Sequence, residues 1–599
     1  MSNMVQLSTA LEDARRNSGP LCDVLNAKAD IQVTPEKLDE AANILQEELG
    51  VDARPVVELA KSLREGPTEG GMLRVLKTAC ANGQLAPMAQ LIHSEIQALS
   101  ERVGSTQSRL AAEFEAPALV VSGGVSMGSY QAGFAEGLLR QLRSMDSARS
   151  SLKTTYPYLF ARLEPRAHLR TNVGASAGSI NAFIAGIESC TPNREAALSK
   201  SLFFKSWIDV GFTSAVTRSL DPNVCPGTDH TLYDAAAVEG DHILNNCVIH
   251  AVADTLGDEI NARASQLNAC SFDLAMTATR LSPRTIPLAT GASADLPRMT
   301  EKFLMHVKFD TAGAHYQAFD PPSPDARRFF PKVKDDYKQI AQIIQASAAF
   351  PLAFSPKDLS EAYAPLPGVP VSKNPSTDTS NKYIDGGLFN NNPLDMARLF
   401  TRTRAAKLGQ ADLGKYLFLD QDFTEAMRPL PRRNYTGNSF YVNYQDFLPR
   451  VFEVATTQQL MAQLEYEPEL LRHLLVPIRS RASPSEFVFA MSGFLHRDLR
   501  VIDFYDGLLD AERMAEKFPL KRLAQMHTLT LAPTTPSSPG FQCVRALRVV
   551  GVSRPTTVKV NLPPECLTYL TLGPQGHPFQ GRWQVFLLEG HQGGNGEPR

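Results

Sequence analysis

The spacing of apolar residues divides the chain into three regions. Up to about residue 115, apolar positions recur every three or four residues, as between Leu38 and Leu49, and this spacing predicts amphipathic helices. In the next region, short apolar runs alternate with glycine-rich turns and helical patterns. The last region has helical patterning and then strand-like runs separated by Pro and Gly. We therefore expect an N-terminal helical region (1–115), an α/β domain (116–425) and a C-terminal region of mixed structure, helical then β-containing (426–599).

Four short apolar runs in the central region have the length and composition of buried strands. They are Ala118–Val121, Leu169–Val173, Lys382–Ile384 and Tyr416–Leu419. The first two are each followed by a glycine-rich turn and a helical pattern. The order strand, turn, helix predicts an α/β sheet whose functional turns lie at the strand ends. The stretch 355–381, rich in Pro, Ser, Thr, Asn and Asp, predicts a long surface loop.

Composition and charge then exclude several classes of protein. The 599 residues are 43% hydrophobic and 21% charged, which excludes a wholly disordered or coiled-coil chain. Sixty Lys and Arg residues against 63 Asp and Glu residues give a formal net charge of −3. Because a phosphate backbone demands a basic excess, we expect no nucleic-acid partner.

The eight cysteines predict neither a metal site nor a disulfide framework. None of them forms a C-x-x-C pair, and eight is sparse for so long a chain. A large core has little need of disulfides, so we expect mostly reduced, buried thiols.

The sequence contains no targeting segment that we recognise. Its start carries acidic residues where a signal peptide needs an apolar run, and no window reaches the roughly 18 apolar residues of a membrane span. We expect a cytoplasmic protein with no signal peptide or transmembrane helix. Secretion by a route without a cleaved signal is also compatible with this sequence.

The pentapeptide from Gly174 to Gly178 has the pattern G-x-S-x-G and lies between a predicted strand and a predicted helix. A serine nucleophile must stand clear of the sheet on a tight turn, and flanking glycines let the two backbones approach. The near-repeat 291–295 ends in Asp and is followed by Leu-Pro, so we interpret it as a surface turn. The context of Ser176 therefore predicts a nucleophile, with Gly174 and Gly178 forming its elbow.

Two further turns carry candidate chemistry. The turn after the first strand runs from Gly123 to Gly128 and begins with two consecutive glycines. Its exposed backbone N–H groups can hold an anion. An oxyanion hole is one interpretation; phosphate binding is another, but no G-K-[ST] follows. Asp385-Gly386-Gly387 ends another predicted strand, where a carboxylate can serve as general base toward a serine. Each of these turns alone is a common structural feature.

In this order along the chain, the three turns resemble the patatin-like phospholipases, over about residues 116–425. Further matching segments are Gly128–Gly133, Ser179–Asn181 and Ala346–Pro351. The resemblance implies a three-layer α/β/α core and a Ser–Asp dyad without histidine. Ser176 would be the nucleophile and Asp385 the general base. The oxyanion hole would come from backbone amides of Gly123, Gly124, Val125 and Ser126.

The resemblance also implies substrates and partners. The expected reaction is hydrolysis of a carboxylic ester of a phospholipid or lysophospholipid at a membrane surface, with peripheral membrane association. No metal or other cofactor is expected, because the protein supplies nucleophile, base and oxyanion donors. A protein activator or a homo-oligomer would account for the flanking regions. The family's third glycine and basic residue in the first turn are replaced here by Val125 and Met127.

Two alternatives remain at this stage. An α/β-hydrolase esterase would need a Ser–Asp–His triad, for which His473 and His496 are available after the acid. Both histidines lie in polar segments without an evident preceding strand. A non-catalytic scaffold that binds a membrane or a protein is the other alternative.

Overall fold

A computed structural model of the chain gives a central β-sheet flanked by helices. It describes residues 22, 34–65, 78–84, 93–124, 128–191, 197–209, 247–263, 266–267, 270–287, 295–320, 330–351, 354–359, 363–364, 382–407, 414–420, 458–477, 497–531, 536, 541–542 and 545. Its strands are β1 (Ala118–Val121), β2 (Thr171–Gly174), β3 (Ser271–Pro287), β4 (Asp295–Asp310), β5 (Gly313–Ala318), β6 (Lys332–Val333), β7 (Lys357–Asp358), β8 (Tyr363–Ala364), β9 (Lys382–Asp385), β10 (Tyr416–Leu419) and β11 (Leu474–Leu475).

The longer helices lie before, between and after these strands. They are α1 (Pro35–Leu49), α2 (Arg54–Glu65), α3 (His93–Phe114), α4 (Gly128–Ser144), α5 (Asp146–Thr155), α6 (Ala177–Cys190), α7 (Cys247–Arg263), α8 (Tyr337–Ser347), α9 (Leu394–Lys407), α10 (458–466), α11 (Arg497–Ala515) and α12 (Pro519–Met526). No helix in the described ranges is long and apolar enough to cross a bilayer.

The chain forms two compact units. The first comprises residues 1–116, 142–167 and 515–533, and the second comprises 117–141, 168–514 and 534–599. In the first unit, α1 ends at Gly50, which adopts the left-handed conformation with φ of 64°. Thr34 precedes this helix without a side-chain capping hydrogen bond. The division of the chain at residues 115 and 425 stays a prediction.

The second unit contains the sheet, whose order is β11-β10-β1-β2-β3-β4-β5. The strands from β11 to β3 are parallel, and β4 and β5 continue the sheet in antiparallel pairs. All four strands expected in the central region are present. No pattern in the sequence predicts the long β3–β4 hairpin. Of the near-repeat 291–295, Asp295 begins β4 and the other four residues lie outside the described ranges.

Strand β3 aligns the ends of two other strands. Its first part pairs with β2 in parallel, up to Gly174 opposite Met276. Its next part pairs with β9 in antiparallel fashion, with Asp385 opposite Ala278. Strands β2 and β9 therefore run toward each other along β3, and their carboxyl ends meet two residues of β3 apart. This head-on arrangement brings the turns after β2 and β9 together.

Apolar side chains cover both faces of the sheet. Because successive strand residues point to opposite faces, Val120, Val173 and Ala275 share one face, where they pack against Phe400 of α9 and Leu460 of α10. On the other face, Gly186 of α6 lies against the ring of Phe272. Strand β11 and α10 belong to this core, although they follow residue 425.

The expectation of reduced cysteines is wrong for four of the eight. Cys22 is bonded to Cys80 in the first unit, and Cys190 to Cys270 in the second. The bond between Cys190 and Cys270 joins the end of α6 to the residue before β3. The partners are 58 and 80 residues apart, so no local spacing could have indicated either pair.

Candidate active site

Ser176 stands on a tight turn between β2 and α6. Its backbone has φ of 53° and ψ of −133°, a strained conformation for a residue with a side chain. The two glycines of the pentapeptide are required by close contacts. A Cβ on Gly178 would lie 2.3 Å from the carbonyl oxygen of Val121, and one on Gly174 would lie 2.3 Å from the carbonyl oxygen of Gly178. The sequence pattern thus has a steric basis here.

The hydroxyl of Ser176 donates a hydrogen bond of 2.5 Å to Oδ2 of Asp385. The other carboxylate oxygen, Oδ1, accepts the N–H of Gly387 at 2.7 Å. The backbone N–H of Asp385 donates to the carbonyl of Ala349, in the segment after α8. The carboxylate is therefore fixed through both oxygens and through its own backbone.

Burial dominates the electrostatics of this pair. Asp385 is 2% exposed, and desolvation raises its pKa to about 7 against the hydrogen bonds from Ser176 and Gly387, which lower it. A carboxylate with such a pKa is a stronger base than an ordinary aspartate, and it still ionises near neutral pH. The pair therefore has the geometry and the proton affinity for base-assisted attack by a serine.

Ser347, on the last turn of α8, supports the turn that carries Ser176 by hydrogen bonding. Its hydroxyl accepts the N–H of Ser176 at 3.2 Å and lies 2.6 Å from the hydroxyl of Ser179. Ser347 is fully buried. The sequence placed it in the small-residue segment Ala346–Pro351 but did not assign it this contact.

The glycine turn after β1 lies against Ser176. A Cβ on Gly123 would stand 2.7 Å from Cβ of Ser176, so only glycine fits. The N–H of Gly123 donates to Oδ1 of Asn391 at 2.7 Å, a contact that the sequence did not indicate. Gly124 is also described, whereas Val125, Ser126 and Met127 lie outside the described residues.

The start of α4, just after this turn, has its own support. The side chain of Asn181 donates to the carbonyl of Gly128 at 2.9 Å and accepts the indole N–H of Trp207 at 2.7 Å. The indole fills the place that a side chain on Gly128 would need. These contacts explain the segments Gly128–Gly133 and Ser179–Asn181 as parts of one packed corner.

The loop after Asp385 is held by α10. Gln459 donates through its side-chain amide to the carbonyl of Phe389 at 2.6 Å, and Gln463 donates to the carbonyl of Asn392 at 3.1 Å. Glu467, just after α10, forms an ion pair with Arg398 of α9. A segment beyond residue 425 therefore fixes the loop that follows the candidate base.

Neither histidine of the alternative triad is placed beside the pair. His473 immediately precedes β11, and β11, β10, β1 and β2 are parallel, so His473 lies at the opposite end of the sheet from Ser176. His496 lies outside the described residues. Among the residues that the structure describes, no histidine hydrogen bonds to Ser176 or Asp385.

The described residues contain no group of three or more His, Cys, Asp or Glu side chains that could hold a metal ion.

Comparison with known proteins agrees with the resemblance seen in the sequence and with the fold. The chain matches no curated protein. Residues 119–398 match the family model described as patatin-like phospholipase, and this range begins in β1 and ends in α9. The range includes all three turns and extends through β9, whereas β10 and β11 follow it. Residues 119–398, somewhat less than half of the chain, form a patatin-like phospholipase domain, and the patatin-like family comprises lipid acyl hydrolases.

Proposed function

We propose that the protein is a phospholipase A or lysophospholipase that cleaves a carboxylic ester through an acyl-enzyme on Ser176. The observation that carries the proposal is the hydrogen bond of 2.5 Å from the Ser176 hydroxyl to the buried carboxylate of Asp385. A serine paired directly with a base of suitable pKa is the minimum machinery for nucleophilic ester cleavage.

The proposed reaction needs one proton carrier. As Oγ of Ser176 attacks the ester carbonyl carbon, its proton passes to Asp385, and the carbonyl oxygen becomes an oxyanion. When the tetrahedral intermediate collapses, the ester C–O bond breaks and Asp385 returns the proton to the leaving alcohol. A water molecule then attacks the acyl-enzyme with Asp385 again as base, which releases the fatty acid and regenerates Ser176.

The glycine turn would supply the oxyanion donors. Its position against Ser176 supports this role, because an oxyanion forms next to the nucleophile. The N–H of Gly123 is taken by Asn391 in this structure. We therefore assign the donation chiefly to Gly124 and to the following residues of the turn, Val125 and Ser126.

An exposed apolar residue in the loop after Asp385 supports a lipid substrate. Phe389 lies four residues after Asp385 and is 52% exposed. A large exposed aromatic group on the loop that follows the candidate base is suited to contact acyl chains at a membrane surface. We propose peripheral membrane association on this ground, with a protein activator or a homo-oligomer as a further condition for activity.

Hydrolysis and covalent labelling test the proposal together. The purified chain is offered vesicles of phosphatidylcholine and micelles of lysophosphatidylcholine, with and without cell extract, and released fatty acid is measured. A fluorophosphonate is then applied, and its mass is sought on Ser176. The matched control is Ser293→Ala, which alters the near-repeat at 291–295 and should change neither readout.

Fatty-acid release and labelling that disappear in Ser176→Ala would support an acyl-enzyme. Activity seen only with extract would add an activator. Neither release nor labelling under any condition would overturn the proposal and favour a scaffold.

A further inference from the structure

We propose that Asn391 is a positioning residue, whose side-chain oxygen locks the glycine turn after β1 into the geometry that the reaction needs. The inference rests on the proposed function and adds to it a residue from the loop after Asp385. Asn391 would act through the backbone of Gly123 and would not touch substrate.

Asn391 is in contact with both turns of the site. Its Oδ1 accepts the N–H of Gly123 at 2.7 Å across 268 residues of sequence. The same oxygen lies 2.7 Å from the position that a Cβ on Gly387 would take, and Oδ1 of Asp385 lies 3.0 Å from that position. The carboxamide therefore fills the space between the glycine turn and the Asp385 turn, and it requires a glycine on each side.

Hydrogen bonds to the residues on either side of Asn391 hold its backbone in place. Asn390 donates its N–H to the carbonyl of Gly386 at 3.1 Å and accepts the hydroxyl of Thr277 at 3.2 Å through its own carbonyl. On the other side, Gln463 holds the carbonyl of Asn392. Asn391 itself is only 6% exposed. Its oxygen therefore has little freedom to leave Gly123.

The glycine turn needs such an anchor. Two consecutive glycines can adopt many backbone conformations, and an oxyanion donor is effective only when it is already oriented. Holding the N–H of Gly123 fixes the peptide between Ser122 and Gly123. The direction of the next N–H, on Gly124, then depends only on the two dihedral angles of Gly123.

Two substitutions separate this role from ordinary packing. Asn391→Leu keeps the size and removes the acceptor; we expect kcat for phospholipid to fall about 100-fold, as for a misplaced catalytic group, with KM nearly unchanged. The rate of fluorophosphonate labelling should fall in parallel. The acid limit of the pH profile should stay in place, because the surroundings of Asp385 gain no charge.

Asn391→Asp keeps the acceptor and adds a carboxylate near Asp385. We expect it to retain more kcat at high pH than Asn391→Leu and to move the acid limit upward by about one pH unit, since like charges disfavour ionisation. Among the residues that the structure describes, hydrogen bonds from Ser176 and Gly387 and desolvation act on the pKa of Asp385 in the parent. The shifted limit therefore reports how close residue 391 lies to Asp385. The kcat retained at high pH reports the acceptor, which a purely structural role of Asn391 would not need.

Asn390→Leu is the matched control, since the contacts of Asn390 described above are made by its backbone. Thermal melting of each variant separates lost folding from lost positioning. If Asn391→Leu does not fold, Asn391→Ala takes its place as the variant without the acceptor.

An active parent whose Asn391→Leu variant keeps its kcat, or whose Asn391→Asp variant retains no more kcat at high pH than Asn391→Leu, would overturn this inference. A parent that neither hydrolyses lipid nor takes up the label would instead overturn the proposed function.

Discussion

The hydroxyl of Ser176 lies 2.5 Å from Oδ2 of Asp385, although 209 residues separate the two in sequence. The contact follows from the sheet. Strand β2 is parallel to β3 and β9 is antiparallel to it, so the two strands end facing each other on one side of β3. A short pairing segment, three residues of β3 with β9, therefore sets the distance between candidate nucleophile and base.

Asp385→Asn should abolish hydrolysis while stabilising the fold above neutral pH. Asn keeps the shape and a hydrogen bond to Ser176 but accepts no proton, so we expect a loss of several orders of magnitude, close to that of Ser176→Ala. The double variant should fall little further, because the two groups act as one unit. Initial rates on a phospholipid measure this part.

The stability change has a definite sign. The pKa of Asp385 rises from 3.8 when unfolded to about 7 in the fold, so between these values the folded state holds a proton that the unfolded chain has released. The free energy of unfolding therefore falls as pH rises through this window and stays low above it. At pH 8 the uncharged Asn should add about 1–3 kcal/mol, seen as a higher Tm than that of the parent. A lower Tm at pH 8 with a parental Tm at pH 4 would contradict the assigned burial.

The pH profile of the parent should have an acid limit at about pH 7. Ser176 is activated only while Asp385 is ionised, and burial has raised the pKa of Asp385 to about 7. Below that pH, kcat/KM should drop about tenfold per unit. An acid limit near pH 4 would indicate a solvated carboxylate and would speak against Asp385 as the base.

The strands that flank the site could be predicted because each is a short apolar run that ends at Gly or Asp. The mutual arrangement of these strands could not be predicted, because it depends on β3. The 17 residues of β3 carry no turn motif that would mark them as a strand. The roles of Asn391 and Ser347 could not be predicted for a related reason. Their contacts join residues 268 and 171 positions apart, and nothing local distinguishes them from other Asn and Ser residues.

Gly178→Ala should disrupt the elbow more than an ordinary helix substitution. The new Cβ would lie 2.3 Å from the carbonyl oxygen of Val121 and 2.5 Å from that of Ser122, both backbone atoms, so α6 would have to move away from β1. We expect a loss of about 2 kcal/mol or more, together with most activity. Gly104→Ala, in helix α3, is the control, because its Cβ would meet only an arginine nitrogen at 3.5 Å. Urea denaturation compares the two, and equal stability of both variants would refute the steric account.

Gln463→Leu should lower activity although Gln463 lies outside the matched range 119–398. Its amide holds the carbonyl of Asn392, and Leu464 beside it packs in the core. Freeing this carbonyl should loosen the loop that carries Asn391, and we expect kcat to fall about tenfold. Glu465→Leu, at an exposed position of the same helix, is the control. If both variants keep parental kcat, α10 supports the fold without affecting the site.

Removing the bond between Cys190 and Cys270 should weaken the second unit. This bond closes a loop of 80 residues and ties the end of α6, which begins beside Ser176, to the start of β3. A crosslink of this span is typically worth 2–4 kcal/mol, so Cys190→Ser should lower Tm by several degrees under non-reducing conditions. With dithiothreitol present in both samples, the parent should have the Tm of a Cys190→Ser/Cys270→Ser variant, since both then also lack the bond between Cys22 and Cys80. Measuring free thiols in protein taken directly from cells then shows whether the bond forms in the cell. A reducing cytosol would keep both cysteines as thiols. Two outcomes together would contradict this prediction: fully reduced cysteines in that protein, and a parental Tm in Cys190→Ser. The sequence-based expectation of reduced thiols would then hold for this pair, and apolar packing alone would join α6 to β3.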